Sequence, residues 1–103
     1  MTRFLYSFGY ETPRQYRLNS QMGWDDEDSL AILIEADDEG AALNWGHEVS
    51  EKFVKQLYQD DTVSWKGLGY ASWIESSSRE PSSTLPLIRL GEFPDFAQWL
   101  RED

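Results

Sequence analysis

His47 is the chain's only histidine, so any imidazole acid-base step or imidazole metal site must use it. Glu51 follows four residues later. If both stand on a helix they share a face, and a carboxylate there can orient an imidazole as it does in hydrolases. A nucleophile is still required, and none of the serines or threonines is marked by a GxSxG elbow. Zinc is disfavoured, because there is no second histidine and no cysteine to complete a ligand set. The run Asp25-Asp26-Glu27-Asp28 invites a calcium reading, but calcium loops space their ligands at alternate positions with a glycine at the sixth, whereas these acids are adjacent. The expectation is an acidic, solvated turn, with no metal, no cofactor and no catalytic set.

Lys66-Gly67-Leu68-Gly69-Tyr70-Ala71-Ser72-Trp73 resembles the RNP1 octamer of RNA-recognition-motif domains, and Leu5-Tyr6-Ser7-Phe8-Gly9 resembles its companion hexamer. The resemblance implies a sheet face on which RNA bases stack. Leu68 and Ala71 stand where the family has an aromatic and a larger aliphatic, and the longest helix falls where the family runs directly from one strand to the next. Stacking also works with a basic groove. The octamer therefore reads as a glycine-containing strand whose aromatics pack a core. Gly67-Leu68-Gly69 lacks the following helix that a phosphate loop needs.

Charge argues in the same direction. Nine Lys and Arg oppose nineteen Asp and Glu across 103 residues, a net charge of −10. No Lys or Arg occurs between Leu18 and Glu51, so that window alone carries the whole of the deficit. Polyanions need cations for each phosphate contact, so nucleic acid and anionic membranes are not expected partners. The N-terminal segment has neither the apolar run of a signal peptide nor that of a membrane span, and a cytoplasmic location is the default expectation.

The remaining expectations concern the elements that must position these residues. Alternation of Phe4, Tyr6, Phe8 and Tyr10 with Leu5, Ser7 and Gly9 predicts a strand over residues 3–10. Thr12-Pro13-Arg14-Gln15 has the form of a capping box and predicts a short helix over 13–20. The apolar run Leu30 to Ile34 predicts a strand over 29–36, covered on both faces or central in its sheet. Ala42, Trp45, Gly46, Val49, Phe53 and Leu57 recur at spacings of three and four, which predicts the main helix over 39–59, with Asp37 or Asp38 as its N-terminal cap. A third strand is expected over 65–75, a polar loop over 76–84, a fourth strand over 85–90 and a short C-terminal helix from Pro94. The sum is one α+β domain over 1–103: a four-stranded, mainly antiparallel sheet with one long helix on one face and a short C-terminal helix beside it.

Fifteen aromatics in 103 residues are read first as a core of large strand residues against a helix whose Ala42 and Gly46 admit close approach, and alternatively as an exposed aromatic face or rim that docks a partner. Trp and Tyr surrounded by acids make interface anchors. The leading functional expectation is thus a non-enzymatic acidic module that binds a basic protein, in the manner of an inhibitor or immunity protein. Its surface is expected at Trp24, Asp25, Asp26, Glu27, Asp28, Asp60, Asp61 and Trp65. A second expectation is a small-molecule binder or minor enzyme with an aromatic pocket between helix and sheet, lined by Tyr6, Tyr10, Trp45, His47 and Trp73. A third is a structural accessory subunit. A one-sided sheet would also allow a homodimer through its other face.

Overall fold

The structure is a computed structural model that describes residues 2–24, 26–76 and 85–98. The elements run β1 (Thr2–Tyr10), α1 (Pro13–Met22), β2 (Asp28–Ala36), α2 (Glu39–Tyr58), α3 (Trp65–Leu68), β3 (Ser72–Ser76) and β4 (Leu87–Arg89), followed by a 3₁₀ turn over Phe96–Gln98. The four strands form one sheet in the order β3-β1-β2-β4. β1 pairs antiparallel with both β2 and β3, while β2 pairs parallel with β4, so the α+β sheet is mixed rather than purely antiparallel. The register sets Tyr6 beside Ile32 and Ile74, and Tyr10 beside Asp28.

Period-two alternation sends Phe4, Tyr6, Phe8 and Tyr10 to the face covered by α2, where they are buried with Ile32, Ile34, Ala36 and Ile88. From α2 come Ala42, Val49, Phe53 and Val54. Phe53 takes Phe8 and Tyr10 edge-on, with centroids 5.9 and 5.1 Å away, and Phe96 closes the cluster at 5.7 Å. Such tilted and edge-on pairs add a little beyond the area they bury. The core is thus large strand aromatics against a helix whose facing residues are small.

The caps foreseen in the sequence operate. Thr12 Oγ accepts from the Gln15 N–H at 3.1 Å and Asp38 Oδ1 from the Ala41 N–H at 2.7 Å. Gly23 adopts a left-handed conformation to end α1. Among the described residues no helix is long and apolar enough to cross a membrane.

Three expectations are corrected. Residues 65–71 are not strand: Ser64 caps a short helix, and Gly69, at φ 78°, ends it, so β3 begins only at Ser72. The fourth strand shrinks to Leu87–Arg89. The expected C-terminal helix begins as a 3₁₀ turn, its further course and the 77–84 part of the polar loop lying outside the described residues.

The face of the sheet opposite α2 carries Leu5, Ser7, Leu33, Trp73 and Leu87 by register. Its centre is not an open apolar surface, since Leu33 keeps only 2% of its accessibility. Trp73 and Leu87, towards its two edges, are exposed.

Candidate protein interface

Topology decides which acids meet. β2 starts opposite Tyr10, so Asp26, Glu27 and Asp28 lie at the end of the sheet where β1 finishes. α2 starts beside the far end of β2 and returns. Its last residue, Tyr58, donates its hydroxyl to the Glu11 carbonyl at 2.8 Å, which brings Asp60 and Asp61 to the same end as the Asp26–Asp28 turn. Asp37, Asp38 and Glu39 are left at the other end, a nine-residue strand away. The chain therefore has two acidic poles, and one is reinforced by a segment distant in sequence.

At the reinforced pole the joint is Glu11. Its carboxylate accepts from the Tyr70 hydroxyl and from Asn19 Nδ2, and the same Asn19 amide group donates to the Asp26 carbonyl at 2.7 Å. Burial and the adjacent carboxylate push the Tyr70 phenol upward, and burial followed by the Glu11 charge raises Tyr58 to about 12. Both phenols keep their protons and so remain donors. The described ion pairs join Arg3 and Arg89 to Glu35, Lys55 to Glu51 and Lys66 to Glu48. None engages Asp26, Asp28, Asp60 or Asp61. Arg14 and Arg17 are the bases that α1 brings to this end.

Of the expected anchors, Trp24 follows the C-cap of α1 and is 51% exposed at this pole. Trp65 is not an anchor. It is 3% exposed, packs edge-on against Phe8 at 6.1 Å and donates Nε1–H to the Gly9 carbonyl at 2.8 Å, because the α3 turn aims it inward. Asp25 lies outside the described residues.

Two grooves flank the turn that carries Asp60 and Asp61. One, of about 390 Å³, runs between α1, the end of α2 and α3, and is lined by Tyr16, Tyr58, Thr62, Val63, Leu68 and their neighbours. The other, of about 440 Å³, lies on the far side, between α2 and Phe93, and includes Glu48, Glu51, Lys52, Lys55 and Asp61. In it Glu51 is a hub. It accepts from Lys55 Nζ at 3.1 Å, Ser64 Oγ at 3.1 Å and the Lys66 N–H at 2.6 Å, tying α3 to α2. Burial opposes its ionisation, but these donors outweigh it and hold the carboxyl below the usual range. Sequence reading found neither groove, because each is lined from segments joined only by folding.

The aromatic pocket expected between helix and sheet is corrected. Tyr6 and Tyr10 are buried within packed core, Trp73 points from the opposite face, and Trp45 is turned aside to donate to the Glu92 carbonyl at 2.7 Å. None of these residues, nor His47, lines either of the two grooves described above.

His47 does not pair with Glu51, whose oxygens are taken by the three donors just described. Its Nε2 instead meets Ser72 Oγ at 3.1 Å. Beside this contact, Ser50 donates to the Gly46 carbonyl at 3.0 Å, so it accepts from the Tyr6 hydroxyl at 2.7 Å. Tyr6, Ser50 and Gly46 thus form a buried hydrogen-bonded relay that fastens β1 to α2, while His47 and Ser72 are half-buried. Burial raises the Tyr6 phenol to about 12.

Among the described residues no group of three or more His, Asp or Glu is placed to hold a metal. Comparison of the chain with protein-family models, with curated proteins and with solved structures returned no match.

Proposed function

We propose that this chain is a non-enzymatic protein-binding module whose acidic pole engages a basic protein surface. The observation that carries the reading is the convergence of Asp26–Asp28 with Asp60–Asp61 beside exposed Trp24. Asp26, Asp28, Asp60 and Asp61 join no ion pair among the described residues, and such carboxylates at one end of a −10 chain accelerate encounter with a cationic partner and make it sensitive to salt. An exposed tryptophan beside them offers a large apolar contact at low entropic cost. Neutralisation of a basic enzyme, as inhibitors and immunity proteins perform it, is the form of function that this chemistry suits.

The test is capture at low salt followed by kinetics on the captured partner. Asp60→Lys with Asp61→Lys should lower the association rate constant at least tenfold and flatten its salt dependence. Asp37→Lys with Glu39→Lys, at the opposite pole, should change it less than threefold. Equal effects from the two pairs, or no captured partner, would overturn the reading.

A further inference from the structure

The smaller groove is chemically selective. Tyr58 donates its hydroxyl to the Glu11 carbonyl, Thr62 Oγ1 to Asp60 Oδ1 at 2.6 Å and Ser64 Oγ to Glu51, while the Gly67 N–H is taken by Ser64. With these polar groups bonded inside the chain, the walls that remain are the rings of Tyr16 and Tyr58 and the aliphatic Val63 and Leu68. A polar metabolite would lose water there and find few partners, whereas an apolar side chain loses nothing. At about 390 Å³ the groove stands near the small end of the ~300–1,000 Å³ range of binding clefts, room for one large side chain.

Across the Asp60–Ser64 turn the chemistry reverses. Lys55 is held by Glu51 and by the Val63 carbonyl, and Lys52 stands 4.4 Å over the Phe93 ring. Asp61 lines this second groove and joins no described ion pair. The turn is therefore a ridge with an apolar socket on one side and an acidic contact on the other.

We infer that this ridge grips a basic peptide segment of the partner, seating one Trp, Phe or Leu side chain in the Tyr16–Tyr58–Leu68 socket and an adjacent Lys or Arg against Asp61. The inference rests on the proposed role of the acidic pole and adds the recognition element to it. The occupant is fixed by charge complementarity: an apolar residue must arrive flanked by cations to approach a rim carrying Asp60 and Asp61.

The test uses two synthetic pentapeptides, Arg-Lys-Trp-Lys-Arg and Arg-Lys-Ala-Lys-Arg, titrated into the isotope-labelled chain at low salt. The Trp peptide should bind at least tenfold tighter, a difference of about 1.4 kcal/mol. The amide signals of Tyr58, Asp61, Val63 and Leu68 should move most. Tyr16→Ala with Leu68→Ala, both at exposed positions, should cut the Trp advantage to threefold or less, and Asp61→Asn should weaken both peptides. Equal affinities, or shifts centred elsewhere, overturn the socket. If equal affinities still depend on Asp60 and Asp61, only the socket falls and the acidic-pole reading stands. If neither peptide binds, the ridge is lost as a recognition element and the broader reading is decided by partner capture.

Discussion

Gly46 of α2 lies against the ring of Tyr6 so closely that a β-carbon there would sit 2.6 Å from two ring carbons. A helix-interior glycine costs about 1 kcal/mol relative to alanine, so its presence marks a packing need. The approach also lets the Tyr6 hydroxyl reach Ser50 and fastens the relay to the Gly46 carbonyl. Gly46→Ala should destabilise the fold by about 1–3 kcal/mol despite its better helix propensity. Urea denaturation measures this, and a stabilised variant would show that the helix does not ride on the ring.

Tyr6→Phe removes the first donor of the relay with little change of volume. The loss should be about 0.5–1.5 kcal/mol, since Ser50 loses the Tyr6 hydroxyl but keeps the Gly46 carbonyl. A double-mutant cycle with Ser50→Ala should return a coupling energy of about 0.5 kcal/mol or more. Additive losses would mean that the two hydroxyls do not interact.

Trp65 and Trp24 should respond in opposite ways. Trp65→Ala empties a core position and should cost about 3–5 kcal/mol. Trp24→Ala should stay within about 0.5 kcal/mol while weakening partner binding. Denaturation curves and affinities of the two variants separate a core tryptophan from an interface one.

His47 should make stability fall on mild acidification. Burial, followed by the charge of Lys66, lowers its pKa from the ordinary 6.5. The unfolded chain therefore binds the proton first, so the contribution is fully present above about pH 6.5 and is lost as pH drops from there towards the folded-state value. With no second histidine, this window is free of other side-chain imidazoles. His47→Gln should flatten the stability profile between pH 7.5 and 5.5 in equilibrium denaturation, and an unchanged slope would contradict the half-buried setting.

Glu51 should act at lower pH. Its folded-state pKa is depressed below 4.5, so its contribution is present above that value and is lost as pH falls through the folded-state pKa. Glu51→Gln should cost about 1–2 kcal/mol at neutral pH, as charge-assisted bonds to α3 weaken in a partly solvated setting. Its stability should depend less on pH below 4.5 than that of the parent chain.

Much of the architecture was legible in the chain because it is local. Alternation at Phe4 to Tyr10 marks β1, three-four spacing from Ala42 to Leu57 marks α2, and Thr12 and Asp38 announce helix starts. The 65–71 segment misled because Tyr70, Trp73 and Ile74 favour strands, while a Ser64 cap and a left-handed Gly69 impose a turn of helix before them. Of the two tryptophans expected at the surface, Trp24 is exposed and Trp65 is buried; their local sequences do not distinguish them, and the direction of the α3 turn does.

The sequence by itself determined the periodicities, the caps and the size of the negative charge, all properties of neighbouring residues. Tertiary structure alone decided that Asp60–Asp61 joins Asp26–Asp28 and not Asp37–Glu39, that His47 faces Ser72 and not Glu51, and that a turn separates an apolar groove from a charged one. The physical reason is that strand register and the return of α2 set those proximities. Both are fixed by burying aromatics from residues tens of positions apart, which no local pattern encodes.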